Sequence, residues 1–390
     1  MVEWKKLGKI CEIKGRIGFR GYTRDDQVDK GKGAISLSPG NIDNGSMNYE
    51  SCTYITWEKY EESPEIMVNE GDIILCKTAS VGKVARIKKL PEKATINPQL
   101  VLIKNISTNP QYLFYVLDDQ PFQSKIKGLS GIGSVPNVSQ AKLSDILIPI
   151  PSLEEQTRIV GILDTFTSAI DNLKEQIAQR IKQYEYYCDQ LLDLEGKPEQ
   201  DIHCWGEFCK MEKGNGVQKV DFVEKGIGCI HYGQIYTHYG SYAYETNKFV
   251  SEETFAKAKK ASKGDVILTD TSENVEDICK SVAWLGDDDI AVSNHALIIK
   301  HNQNPKFLSY STQTNSFFLQ KRKVVVGVKV SGIKPDDLAK IKIFLPSLSE
   351  QQRIVSILDT FEASIQNLEA QLKQREKQYE YYRNKLLTFE

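Results

Sequence analysis

The chain has 390 residues, 40% hydrophobic and 26% charged, with a formal net charge of -2 and a mean hydropathy of -0.39. That length and apolar share are enough for roughly two to four domain cores, which excludes a disordered chain. The longest apolar runs, such as Ile146-Leu147-Ile148-Pro149-Ile150, fall far short of the roughly 20 residues of a membrane span, and Met1-Val2-Glu3-Trp4-Lys5-Lys6-Leu7 does not look like a secretion signal. The expectation is a cytoplasmic protein without a membrane segment. Its eight cysteines are scattered without CxxC spacing, which reads as reduced, mostly buried thiols.

Residues 1–147 mix short β-branched and aromatic runs with turn residues, so strands dominate. Val101-Leu102-Ile103 is predicted as a strand, and Asn109-Pro110 opens a short helix with Asn as cap and Pro in the first turn. The segment reads as an α/β module of ordinary domain size. Residues 148–195 then read as a long helix. Pro151 stops the preceding strand, Ser152 and Glu155 have capping-box spacing, and Ile159, Ile162, Leu163, Phe166, Ile170, Leu173, Ile177, Tyr184, Tyr187 and Leu191 form an apolar stripe. No glycine or proline interrupts Ile162 to Leu192, so the helix runs about 40 residues, or about 60 Å.

Residues 196–342 read as a second α/β module, with strands at Val266-Ile267-Leu268 and Ala296-Leu297-Ile298-Ile299 and a helix opened by Asn304-Pro305. A further strand at Ile341-Lys342-Ile343-Phe344-Leu345 runs into a second long helix over 343–390. Pro346-Ser347-Leu348-Ser349-Glu350-Gln351-Gln352-Arg353-Ile354-Val355 repeats Pro151-Ser152-Leu153-Glu154-Glu155-Gln156-Thr157-Arg158-Ile159-Val160, and 148–195 and 343–390 agree at 29 of 48 positions. The modules share only a skeleton: Gly40-Asn41-Ile42 parallels Gly233-Gln234-Ile235, and Gly71-Asp72-Ile73-Ile74-Leu75 parallels Gly264-Asp265-Val266-Ile267-Leu268. The chain is a tandem duplication. Near-identical helices suit two copies of one partner, whereas dissimilar modules suit two different targets. The fold expected is α+β: two α/β modules and two long helices paired as an antiparallel coiled coil, with pseudo-two-fold symmetry.

Charge differs by segment. Residues 1–147 hold 20 basic and 17 acidic side chains, 148–195 hold 4 and 9, 196–342 hold 20 and 19, and 343–390 hold 6 and 7. Basic clusters fall in the modules: Arg16, Arg20 and Arg24; Lys83, Arg86, Lys88 and Lys89; Lys257, Lys259 and Lys260; Lys321, Arg322 and Lys323. Such clusters can neutralise phosphates, although each also suits a solvated surface. Catalytic signatures are missing. Asn109-Pro110-Gln111-Tyr112 lacks the second proline of an adenine-holding Asn-Pro-Pro-Tyr loop, and no glycine-rich strand-turn-helix precedes it. Neither Gly15-Arg16-Ile17-Gly18 nor Gly131-Ile132-Gly133-Ser134 continues into a Walker A sequence. Cys204, Cys209, Cys229 and His231 match no zinc-finger spacing. All five histidines lie in the second module, so a shared catalytic base is not expected and the chain reads as a reader.

The order of module, Pro-Ser-Leu-x-Glu-Gln-x-Arg-Ile-Val helix, second module and the same helix again resembles the specificity subunit (HsdS) of Type I restriction-modification systems. The resemblance covers essentially the whole chain and includes Ser80-Val81-Gly82-Lys83-Val84-Ala85 and Ile230-His231-Tyr232-Gly233-Gln234-Ile235-Tyr236-Thr237. The second module departs with Glu276-Asp277-Ile278-Cys279-Lys280-Ser281-Val282-Ala283, so contacts in that loop do not transfer between halves. The resemblance implies a non-catalytic subunit with target recognition domains at 1–147 and 196–342. The helix segments 148–195 and 343–390 would act as spacer and docking surface. Implied partners are double-stranded DNA, two methyltransferase subunits and, for cleavage, restriction subunits. No cofactor or metal is expected on this chain; S-adenosylmethionine, ATP and Mg would act through the partners. Antiparallel packing of two like helices would aim the modules at separate half-sites of a bipartite, asymmetric target.

Base and phosphate contacts are expected from polar residues of loops flanking strands: Arg16, Arg20, Asn41, Lys77, Thr78, Ser80, Lys83, Asn97 and Gln99 in the first module. In the second they are His231, Tyr232, Gln234, Tyr236, Asn274, Asn294, His295, Lys321, Arg322 and Lys323, with Thr269, Asp270, Thr271 and Ser272 as one polar loop after Val266-Ile267-Leu268. Asn and Gln can pair with adenine, Lys can donate to guanine and Asp can accept from cytosine; the bland role for each is a turn or cap. The alternative function is a non-DNA-binding interaction scaffold.

Overall fold

A computed structural model describes residues 2–16, 21–130, 135–327 and 331–389. The chain forms two compact units, Met1–Asn172 with Leu372–Glu390, and Leu173–Gln371.

In the first unit, one sheet orders Ala94–Ile96, Gly33–Leu37, Thr53–Thr56 and Gln27–Val28. A second orders Glu12–Lys14, Leu100–Lys104, Ile73–Cys76 and Val84–Arg86. Ile73–Cys76 reads as an unbroken apolar run because both its faces are covered. Ile73 and Leu75 enter a core with the helix Pro110–Asp118, while Ile74 and Cys76 enter a core with the other sheet. The strand's period of two thus hides inside a continuous hydrophobic stretch.

The second unit repeats the device with five-stranded sheets. Val266 and Leu268 face the helix-side core, and Ile267 faces Ile230, Val292 and Ile298. The expected strands form at Leu100–Lys104, Ala296–His301 and Lys342–Phe344. Asn109 caps its helix by accepting from the backbone N–H groups of Gln111 and Tyr112, and Asn304 accepts from that of Phe307.

The long helices span Leu153–Leu192 and Leu348–Leu387. In the first unit, the start of one lies antiparallel to the end of the other: Phe166 stacks on Tyr382 with centroids 5.2 Å apart, and Ile159 and Leu163 share a core with Leu387. The second unit holds the converse pair, with Tyr187 stacked on Phe361 at 5.2 Å and Leu192 in a core with Ile354, Val355 and Leu358. Only half of each expected capping box forms. The backbone N–H groups of Glu155 and Glu350 donate to Ser152 and Ser347, but their carboxylates turn away to Arg158 and Arg353. A bidentate guanidinium is a stronger partner than a lone backbone N–H.

The joint between helix and module is built twice from the same parts. Gln156, buried, accepts from the backbone N–H of Asn109 and donates to the Pro151 carbonyl; Gln351 does the same with Asn304 and Pro346. Tyr115 donates to Asp164, which also accepts from Gln111. In the second unit Tyr310 donates to Asp359, which pairs with Lys306. All eight cysteines are free thiols, and Cys11, Cys76, Cys188, Cys229 and Cys279 are buried. No helix among the described residues is long and apolar enough to cross a membrane.

Candidate nucleic-acid interface

Each module ends in a polar frame at the carboxyl end of its central strand. In the first, the Lys77 N–H donates to the Gln99 carbonyl at 2.9 Å, and the Lys77 carbonyl accepts from Val138 at 2.9 Å. Thr78 bridges Asn137, which also accepts from the Thr78 hydroxyl at 2.9 Å, and the Asn97 N–H donates to the Leu37 carbonyl. In the second module the Asp270 N–H donates to the His295 carbonyl at 3.2 Å, and the Asp270 carbonyl accepts from Ile333 at 2.9 Å. Thr271 pairs with Gly332, and the Ser293 N–H donates to the Ile230 carbonyl. The two backbones correspond bond for bond.

The structure therefore gathers Lys77, Thr78, Asn97 and Gln99 at one edge of the first module. The Asn97 amide donates to the Gln99 side chain at 3.2 Å, and Ser80 and Lys83 are exposed on the adjoining loop. In the second module it gathers His231, Tyr232, Tyr236, Asp270, Thr271, Asn294 and His295. The Tyr232 ring lies edge-on to His295 at 5.3 Å, and Tyr236 donates to the Thr271 carbonyl at 2.5 Å. Beside them a cleft of about 400 Å³ is lined by Val217, Gln218, Lys219, His231, Tyr232, Asn294 and His295. The buried Asp270 carboxylate is held by Lys213 at 3.0 Å and by the Thr271 hydroxyl at 2.8 Å, with His295 Nδ1 at 3.9 Å. Burial lowers the pKa of His231, favouring the neutral imidazole whose Nδ1 accepts from the Gly233 N–H.

The remaining sequence expectations fall elsewhere. Arg16 is 4% exposed, donates to Ile96 and Thr95, and lies over the Tyr22 ring, so it is a buried tie between segments and not a phosphate contact. Asn41 and Gln234 accept from the backbone N–H groups of Ser38 and His231 and cap the same turn in the two modules. Gln234 also donates to Asn247, so both side chains are consumed by the scaffold. Thr269 is not in a loop: it ends the strand Val266–Thr269, fully buried, and donates to the Asp277 and Lys280 carbonyls. Thr271–Ser272 form a short strand, not an open loop. Asn274 folds back on Asp277. Lys321 is 4% exposed, its ammonium donating to the Glu276 and Ile278 carbonyls, while Arg322 and Lys323 beside it are exposed. Arg20 lies outside the described residues.

The family model of the Type I restriction modification DNA specificity domain matches residues 1–183 and 205–376. The chain belongs to the Type I restriction-modification specificity family. DNA sequence recognition is accordingly its function. The chain is 29% identical to the EcoR124I/EcoR124II specificity subunit of Escherichia coli, over 72% of this chain and 70% of that one. It is 26% identical to the MjaVIII specificity subunit of Methanocaldococcus jannaschii, over 83% and 80%. The solved S subunit from M. genitalium superposes with a TM-score of 0.58 at 14% identity, covering 100% of this chain and 97% of that one, and so shares the fold.

Sequence reasoning missed three residues at the frames of this specificity subunit. Asn137 lies far along the chain from Thr78 and carries no motif. Lys213 directly precedes the Gly214-Asn215-Gly216 turn and Lys219 lies three residues after it; that turn is the sequence signal that could have marked them.

Proposed function

We propose that modules 1–147 and 196–342 each read one component of a bipartite, asymmetric DNA site. The segments 148–195 and 343–390 fix the gap and dock two methyltransferase subunits. The carrying observation is a contrast: the joints are duplicated down to Gln156 and Gln351, whereas the frames keep one backbone and exchange their side chains. Repeated joints suit two copies of one partner, and exchanged frames suit two different base sequences. The chain itself supplies no chemistry in this reading. Partner subunits bind S-adenosylmethionine, and in the cleaving complex restriction subunits bind ATP with Mg.

The test is to map methylated adenines across the genome of cells carrying this subunit with its methyltransferase partner. A motif of two short components separated by a fixed unread gap, with one modified adenine on each strand, is expected. A single continuous motif, or no methylation beyond that of cells lacking the subunit, overturns the reading.

A further inference from the structure

The correspondence of the two frames isolates a small set of positions at which the backbone hydrogen bonds are shared and the side-chain chemistry changes. Residue 77 matches 270, residue 99 matches 295 and residue 137 matches 332, because each pair makes the same backbone bond. At these places the first module carries Lys77, Gln99 and Asn137, and the second carries Asp270, His295 and Gly332. The shared positions Thr78 and Thr271 are identical and spent on the frame.

Charge inverts between Lys77 and Asp270, yet the ammonium is not lost from the second frame. Lys213, at the end of the strand Cys209–Lys213, brings one within 3.0 Å of Asp270. The Asp270 side chain is 4% exposed, whereas those of Lys213 and His295 are 60% and 50% exposed. Asp270 is thus too covered to meet a base, and it anchors two groups that are not. His295 adopts φ +64, a left-handed conformation that costs a non-glycine residue and persists where the surroundings hold it. The Asp270 N–H on its carbonyl and the Thr271 hydroxyl 3.3 Å from its ring hold it here.

We infer that Lys77 and Gln99 in the first module, and Lys213 and His295 in the second, are the specificity-determining side chains, and that Asp270 is a positioning residue for the latter two. The ligand class is the hydrogen-bonding edge of a base pair. Lys77 and Gln99 offer the donors and amide that suit a purine, and His295 offers one imidazole edge beside a cationic donor. This inference rests on the reading of the modules as half-site readers.

The experiment uses the full chain in its complex with the methyltransferase subunit and exchanges residues across the frames, Gln99→His and His295→Gln, with Asp270→Asn as a third variant. Methylated motifs are mapped for each. Gln99→His is expected to change bases in one component and His295→Gln in the other, with the gap intact. Asp270→Asn is expected to relax the same component as His295→Gln. Competition binding with duplexes substituted at each motif position gives a second readout that does not need methylation. There, a loss of about ten- to a hundred-fold in discrimination confined to one component supports the assignment. Unchanged motifs in both exchanges, or a uniform loss of affinity across all duplexes, overturns it. Failure of the parent chain to give a bipartite motif defeats the underlying reading instead.

Discussion

The phenol of Tyr310 lies 2.7 Å from an Asp359 oxygen and 3.0 Å from a Glu362 oxygen, so one hydroxyl proton faces two carboxylates. Asp359 also pairs with the Lys306 ammonium at 2.9 Å, and the Lys306 side chain is only 14% exposed. Replacing Asp359 with alanine leaves that ammonium without its carboxylate, while the phenol keeps Glu362 as acceptor. We expect Asp359→Ala to destabilise the chain by about 3 kcal/mol in urea unfolding. Asp164→Ala, whose partners Gln111 and Tyr115 are uncharged, is expected to cost about 1–2 kcal/mol. Equal losses would show that the ion pair adds nothing to the second joint.

Glu362 accepts from Ser241 and Tyr310, but burial, reinforced by the neighbouring Asp359, raises its pKa above the ordinary carboxylate value. A raised folded-state pKa means that the folded chain holds a proton that the unfolded chain releases. Stability is then greatest at the acid side of that window and falls as pH rises through it. We expect unfolding free energy measured from pH 4.5 upward to decline more steeply for the parent than for Glu362→Gln. Identical slopes would remove Glu362 as the source.

Lys321, Arg322 and Lys323 are adjacent in sequence, yet the first is buried and the other two are exposed. Lys321→Ala strands the Glu276 and Ile278 carbonyls and is expected to cost about 1–3 kcal/mol of stability. Lys323→Ala is expected to leave unfolding within about 0.5 kcal/mol of the parent. If it meets phosphate, it lowers the affinity of the complex for all DNA sequences and reduces the salt slope by about 1. Sequence-selective loss from Lys323→Ala would contradict a phosphate role.

The spacer role has its own test. Removing Asn172–Ala178 together with the matching Asn367–Lys373 shortens the two helices by a heptad, about 10 Å, without touching Asp164, Asp359 or the stacked rings. The unread gap of the methylated motif is expected to shrink by about 3 base pairs while both components stay the same. An unaltered gap would end the idea that the helices set it.

Sequence alone determined the duplication, the two long helices and their starts, because those features are local or repeat at a fixed offset. Pro151 with Ser152 and Asn109 with Pro110 encode their caps within a few residues, and the apolar stripe from Ile159 to Leu191 encodes one face. Tertiary structure alone decided which polar side chains face solvent. Arg16 and Lys321 look identical in sequence to Lys83 and Lys323, yet the first pair are buried against carbonyls supplied by distant segments. Asn41 and Gln234 looked like readers and are caps, while Lys213 became part of a frame only because Asp270 lies beside it across the fold. Burial of a polar group depends on whether a remote strand offers it a partner, and that is a property of pairing across the sheet, which no local pattern records.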